Sequence, residues 1–351
     1  MSRLTLALDV MGGDEGPRIT IPASLKALEQ DPMLSLLLFG DRQQIHPFLK
    51  NLSSSISKRL TICHCTSFIK NNQNVTYALR HSKGSSMRLA LEAVQKGNAD
   101  ACISAGNTGA LFGLSKILLQ PLAGIERPAL ISIVPTTNQQ YTVMLDLGAN
   151  IECSSQNLYQ FAKMGSVFAE FYLDKVFPQV GLLNVGIEEI KGTQTVRDAA
   201  ELIKKDTSLN YIGFIEGNEI LNGRADVIVH DGFVGNVALK TVEGSIKSFV
   251  TLLKNNNNAK TKSNNILINI LNNLKKQFLK KCLLRPILQP LQTINPEQYN
   301  GASFIGLQSV VVKSHGNASS EGFLHAIKAA SKQARLNIPQ KILAGLEKSP
   351  N

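Results

Sequence analysis

Short apolar runs alternate along this chain with stretches in which apolar positions return every three or four residues. The runs at 4–10, 34–39, 60–63, 99–103, 129–134, 142–145, 180–185, 211–215, 226–229 and 310–312 predict strands. Most are apolar on both faces, as strands buried in a parallel sheet are. Between them, Ile21, Leu25 and Leu28 fall on one stripe behind Pro17, and Leu111, Leu114, Ile117 and Leu118 repeat at helical spacing. Further helices are expected over 87–95 (capped by Ser85 or Ser86), over 155–172, over 196–204 and near the end of the chain. Residues 135–138 break the rhythm with a hairpin-like turn, and 70–84 is polar and irregular, which reads as a surface loop. Strands alternating with helices predict an α/β fold with a doubly wound, mostly parallel sheet. Ligands of such sheets sit beyond the carboxyl ends of the strands.

The joints at those ends share one character. Ile103-Ser104-Ala105-Gly106-Asn107-Thr108-Gly109 carries a buried run into a helix through small and polar residues. Gly106 and Gly109 permit close backbone approach, and Asn107 or Thr108 can cap the helix. A joint of this kind aims free N–H groups and a positive helix end at a crevice, which suits a phosphate, although a plain tight turn uses the same residues. A second joint, Met11-Gly12-Gly13-Asp14, follows Asp9; its two carboxylates either hold a metal or fix the turn by accepting backbone N–H groups. Asp146-Leu147-Gly148-Ala149-Asn150, the 186–193 stretch bearing Lys191, His230-Asp231-Gly232-Phe233-Val234-Gly235-Asn236 and His315-Gly316 complete the series. All fall at the expected carboxyl edge, so a single shared site is expected there.

Composition narrows the class. With 351 residues, 43% hydrophobic and 18% charged, the chain can bury a large core and is not of the disordered type. The apolar run at the start is stopped by Asp9, too early for a secretory leader, and no uninterrupted run reaches the roughly 18 residues of a membrane span. A cytoplasmic protein, attached at most to a membrane face, is expected. Five cysteines without framework spacing predict no disulfides, and Cys63-His64-Cys65 lacks a second ligand pair, which favours a structural role.

Charge is uneven. Ten lysines and arginines from Lys240 to Arg285 face Glu243 alone, so this stretch carries +9 of the net +11. Within it Leu267, Leu271, Leu274 and Phe278 make one apolar stripe beside Lys275, Lys276, Lys280 and Lys281. Such a helix either packs on a core with its lysines in water or lies on an anionic membrane or acidic partner. The organisation expected is a single large α/β unit over 1–351 with a basic, amphipathic helical excursion at 240–286.

With these motifs in order, the chain resembles the bacterial acyl-ACP:phosphate acyltransferases of the PlsX type. The resemblance rests on Asp9-Val10-Met11-Gly12-Gly13-Asp14, Ser85-Ser86-Met87, Ser104 to Ala110, Arg127-Pro128-Ala129, Leu145 to Asn150, Phe161 to Gly165, Leu182 to Gly186, Lys191-Gly192, Asp231 to Asn236 and His315-Gly316. It departs from the family pattern at Asn74-Val75-Thr76, Gly84 and Ala302-Ser303. The resemblance implies a fold like that of isocitrate dehydrogenase and phosphotransacetylase, a homodimer, and attack of inorganic phosphate on the thioester of acyl-ACP in phospholipid biosynthesis. Rival readings are a phosphotransacetylase using acyl-CoA and a non-catalytic phosphate-binding membrane scaffold. Phosphate is already nucleophilic, so the implied chemistry needs an anion cradle, a cation and an amide donor, and requires no cofactor or metal. Lys191 is the candidate cation, Asn236 the amide and His315 a further catalytic candidate. Substrate binding falls to Asp9, Gly12, Gly13, Asp14, Ser104, Gly106, Asn107, Thr108, Gly109, Asn150, Asp231 and Gly232. The basic excursion then serves an acidic carrier protein, an anionic membrane surface or a downstream membrane acyltransferase; no nucleic-acid partner is expected.

Overall fold

The computed structural model describes residues 3–50, 52–256 and 300–347. Strands β1 (Leu4–Asp9), β2 (Leu34–Gly40), β3 (Leu60–His64) and β4 (Ala101–Ser104) run parallel with β11 (Val310–Lys313), in the order β3-β2-β1-β4-β11. A second parallel set is β6 (Tyr141–Leu145), β9 (Val227–Val229), β7 (Gln179–Leu183) and β8 (Asn210–Ile215), in the order β6-β9-β7-β8. Between the sets lie β10 (Ala302–Ile305) and β5 (Ala129–Pro135), which complete one mixed sheet. The pairings β11 with β10, β10 with β5 and β5 with β6 are all antiparallel. Three reversals are odd in number, so the two parallel sets run in opposite directions. Strands of the first set end at one edge of the sheet, and those of the second end at the opposite edge. This corrects the expectation of one carboxyl edge. The cause is the turn from β5 into β6. The two reversals at β10 cancel and leave β5 directed with the first set, and the antiparallel step into β6, across the break read at 135–138, turns the second set round.

The helices among the described residues are α1 (Pro17–Gln30), α2 (Arg42–Ile45), α3 (Ser54–Ser57), α4 (Val75–Arg80), α5 (Ser86–Gln95), α6 (Thr108–Leu118), α7 (Ser155–Tyr172), α8 (Gln194–Lys205), α9 (Gly232–Asn256), α10 (Ser320–Leu336) and α11 (Ile338–Glu347). Starts follow the caps read from sequence: the Ser85 side chain accepts from Arg88 N–H, and Asn107 accepts from Ala110 N–H. Helix α4 replaces the loop expected over 70–84. Asn74 caps it by accepting from Tyr77 N–H, and it packs on α6 where that helix lacks side chains. A Cβ on Gly109 would come within 2.6 Å of Val75 Cγ2, and one on Gly113 within 2.9 Å of Leu79 Cδ2. The chain end holds two helices, because Asn337 turns left-handed (φ 53°) between α10 and α11.

Each parallel set has its own core. Leu6, Leu8, Leu36 and Leu38 pack with Ile21 and Leu28 of α1 and Phe323 and Ile327 of α10. Val143, Leu145, Val180 and Val229 pack with Phe161, Met164 and Phe168 of α7 and Ile203 of α8. Both cores belong to one compact unit, residues 1–236 with 297–351; residues 237–296 form a second. Of that second unit only 237–256 are described. The stripe Leu267, Leu271, Leu274, Phe278 and its companions Lys275, Lys276, Lys280 and Lys281 lie outside the described residues. No helix among the described residues is long and apolar enough to cross a membrane.

Candidate active site

The first edge gathers the ends of β1, β4 and β11. Register places Asp9 opposite Ser104, and Ser104 opposite Lys313, at one level. Asp9 is buried and accepts from Ser104 Oγ (2.7 Å), whose oxygen in turn accepts from Gly106 N–H (3.0 Å). Its second oxygen has no hydrogen-bond partner among the described residues. Burial pushes the Asp9 carboxyl above its ordinary value, against the pull of nearby Ser86, Ser104 and backbone N–H groups. The backbones of two joints touch here. A Cβ on Gly12 would lie 2.6 Å from Gly106 N and 2.8 Å from Asp9 Oδ2, so no side chain fits. Gly13 holds φ +90° against Gly316, whose carbonyl accepts from Asp14 N–H (2.8 Å).

Around this contact, Asn71 Nδ2 donates to Asp14 Oδ1 (2.8 Å), and Asn107 Nδ2 donates to the carbonyls of Asn71 and Gln73. The polar 70–74 stretch is thus tied to the start of α6. Thr108 and Gly109 open α6, where the first N–H groups have no partner within the helix. Behind them lies Lys313, buried at the end of β11, with Nζ donating to the carbonyls of Ala105 and Ser314. Burial lowers its ammonium to about 8, while Asp9 and Asp14 pull it upward. His315 is exposed, and its N–H donates to Asn300 Oδ1 (2.9 Å). This edge therefore combines glycine backbones, a helix start and a buried cation, the parts that hold an oxyanion.

The second edge gathers the ends of β6, β9 and β7. Asp146 is fully buried and accepts from the N–H groups of Leu130, Gly148, Ala149 and Asn150 and from Asn150 Nδ2. Asn150 Nδ2 also donates to Pro128 O (2.8 Å), and Asn150 O accepts from Gly232 N–H (2.7 Å). Gly232 is obligatory, since its Cβ would lie 2.4 Å from that carbonyl oxygen. Asp231 caps α9 by accepting from Val234 N–H (2.7 Å), and exposed Asn236 lies one turn in, beside Gly148. On the neighbouring strand exit, Asn184 Nδ2 donates to the carbonyls of Gly186 and Lys191, closing the 184–192 loop. Lys191 is exposed on that loop, its stem against Gly186. A cation, an amide and a helix start share this edge, an arrangement suited to a developing oxyanion.

The expected site residues thus divide. Asp9, Gly12, Gly13, Asp14, Ser104, Gly106, Asn107, Thr108, Gly109 and His315 share one edge, whereas Asn150, Lys191, Asp231, Gly232 and Asn236 share the other. Sequence reasoning missed Lys313, Asn71, Asn300 and the anchoring role of Asp146. For Lys313 a signal existed: a lysine ends the apolar run Val310-Val311-Val312 directly before the His315 joint. The cysteines near these edges are poorly placed to act as nucleophiles. Burial raises the Cys102 thiol well above its ordinary value and pushes Cys153 up to about 12, so neither offers thiolate at neutral pH.

His230, behind Asp231, is buried and held neutral; burial lowers it to about 4, and its Nε2 has no partner among the described residues. The unfolded chain protonates near the ordinary 6.5, the folded chain only near 4. Its effect on stability is therefore nil above 6.5 and grows more adverse as the pH falls from there through 4. Urea unfolding at pH 7 and 4.5 is expected to show a fall that shrinks by roughly 2–3 kcal/mol in His230→Gln. Equal falls in both proteins would exclude His230 as a source.

The mixed sheet with two opposed parallel sets defines an α/β protein with a fold like that of the phosphotransacetylases. A phosphotransacetylase from Streptococcus pyogenes superposes with a TM-score of 0.61 at 14% identity, covering 95% of this chain and 94% of that one. A branched-chain phosphotransacylase from Enterococcus faecalis gives 0.57 at 14% identity, over 94% and 99%. At such identities the likeness is one of fold. The chain belongs to the fatty acid synthesis protein family, whose model matches residues 4–341. Relatives called phosphate acyltransferase are 64% identical in Mannheimia succiniciproducens and 63% in Pasteurella multocida, each over 99% of this chain and 100% of the relative.

Proposed function

We propose that this protein is a phosphate acyltransferase of phospholipid biosynthesis, transferring the acyl group of acyl-ACP to inorganic phosphate. A phosphate oxygen attacks the thioester carbonyl, the C–S bond breaks, and the carrier thiol leaves with a proton as acyl phosphate forms. The observation that carries this reading is the contact of Gly12 and Gly106 backbones beside the start of α6, with Lys313 buried behind. A phosphate dianion needs that combination, and an acyl transfer to phosphate needs no protein nucleophile. Incubation with acyl-ACP and phosphate should yield hydroxylamine-trappable acyl phosphate. Product from acyl-CoA but not acyl-ACP would replace this reading with phosphotransacetylase activity, and no product from either would end it.

The reading includes a homodimer in which the two edges meet across protomers, since one chain turns them in opposite directions. Ile151, Val185, Ile187, Ile190, Phe233 and Val234 leave an exposed apolar rim around the Lys191 edge, Ile190 at 82%. Such a rim is what a partner would cover. Gly12→Ala and Lys191→Ala proteins, each inactive alone, are then expected to regain about a quarter of wild-type activity when unfolded together and refolded. Half of the random dimers would be mixed, with one intact site of two. No recovery in a refolded, dimeric mixture would show that each site is built from one chain. Reversible membrane contact through Lys275, Lys276, Lys280 and Lys281 belongs to the same proposal on sequence grounds and should weaken with salt.

A further inference from the structure

A cavity of about 300 Å³ opens between the end of α7 and the side of α10, over β5. Ile131 and Ile133 line its floor, and Phe168 and Tyr172 line one wall, their rings stacked at 4.8 Å between centroids. Opposite stand Ala329, Lys328 and Lys332 of α10. Lys332 Nζ donates to Tyr172 O (2.7 Å) and lies 4.4 Å from the Tyr172 ring centre, which holds its charge at the mouth. Lys328 is exposed beside it. No carboxylate lines the cavity among the described residues; the nearest on α10, Glu321, is engaged by Lys26. Deep in the cavity, Gln333 Nε2 donates to Ser303 Oγ (2.7 Å), both side chains buried, which leaves the Ser303 hydroxyl proton to be donated.

An apolar floor, aromatic wall and cationic mouth match one kind of molecule. We propose that this cavity binds a single-chain amphiphile, with its alkyl tail against Ile131, Ile133, Phe168 and Tyr172 and its anionic head at Lys328 and Lys332. The volume suits roughly ten chain atoms at about 30 Å³ each, the low end for small-molecule sites, and has no room for a two-chain lipid. A medium-chain fatty acid or an alkyl or acyl phosphate has this chemistry. The site is separate from the strand-exit chemistry and holds whether or not the chain turns over acyl-ACP. Asn300 lines the cavity and also accepts from His315 N–H, so an occupant would adjoin the first edge.

Dodecyl phosphate, kept below its micelle concentration, is the probe, titrated calorimetrically into the full-length protein. Saturable binding of one molecule per chain is expected. Ala329→Phe displaces two or three methylenes from the cavity and should weaken binding roughly tenfold to a hundredfold. Ile133→Phe, on the floor, repeats the test should the first variant fail to fold; unfolding temperatures report the fold of each. Lys328→Ala should weaken binding several-fold and flatten its salt dependence. Methyl phosphate should bind far more weakly and dodecyl maltoside should not compete. The proposal is overturned by absence of saturable binding, by unchanged affinity in a folded cavity-filling variant, or by dodecyl maltoside binding as tightly as the phosphate.

Discussion

Lys191→Ala and Asn236→Ala are each expected to lower kcat about 10²–10³-fold while unfolding at the wild-type urea concentration. Both side chains are exposed and neither closes a core contact, so their loss has little to destabilise. Attack by phosphate on a thioester places negative charge on the carbonyl oxygen, and a donor aimed at that oxygen acts mainly in the transition state. Hence kcat should fall while KM for phosphate moves little, given the proposed binding of phosphate at the other strand exits. Lys191→Arg tests charge apart from shape. It keeps the cation but spreads it over a planar fork, and should recover only part of the rate. Near-normal turnover by Lys191→Ala would remove that residue from the mechanism. A loss confined to KM would make it a docking residue for the acidic carrier.

Asp146→Ala is expected to lose at least about 4 kcal/mol of stability, enough to leave little soluble protein at 37 °C. The carboxylate accepts five donors, four of them backbone N–H groups, and alanine leaves these without acceptors in a buried turn. Each stranded buried donor costs about 1–3 kcal/mol, against a total stability of about 5–15 kcal/mol. Burial raises the carboxyl above its ordinary value, so the donors offset a desolvation cost as they hold the turn. Asp146→Asn retains one acceptor oxygen, for Leu130, Gly148 and Ala149, but turns an NH₂ toward the donors of Asn150. An intermediate loss is expected from urea midpoints. An Asp146→Ala protein within about 1 kcal/mol of wild type would show that water replaces the carboxylate, and that Asn150 and Gly232 are fixed by other means.

Much of the local structure is determined by short-range chemistry and was therefore open to reading from sequence. Helix α7 spans the expected 155–172 because Ser154 and Asn157 cap each other reciprocally and apolar residues follow at helical spacing. Asn107 caps α6, Pro17 opens α1, and Gly97 ends α5 at φ +71°, each through its own backbone preferences. The glycine-rich joints were recognisable for the same reason, since only glycine admits the contact between Gly12 and Gly106.

Tertiary structure alone decided which joints meet. Strand order depends on pairings between residues far apart in the chain: β5 is directed with the first set across β10, so its turn into antiparallel β6 carries Lys191 and Asn236 to the edge opposite the Gly12–Gly106 contact. Alternation of apolar and polar positions is blind to strand direction, because a strand buries the same faces whether it runs up or down. Lys313 is a further case: a lysine closing an apolar run is ordinarily at the surface. Only the packing of β4, β11 and the Ala105 turn around it makes it a buried cation facing Asp9 and Asp14. Helix α4 belongs with it, since the polar 70–84 stretch becomes helical where Gly109 and Gly113 leave room on α6 for Val75 and Leu79. Sequence determined the elements and the small residues at their ends; long-range pairing and burial, which no local pattern encodes, determined the edges those ends share.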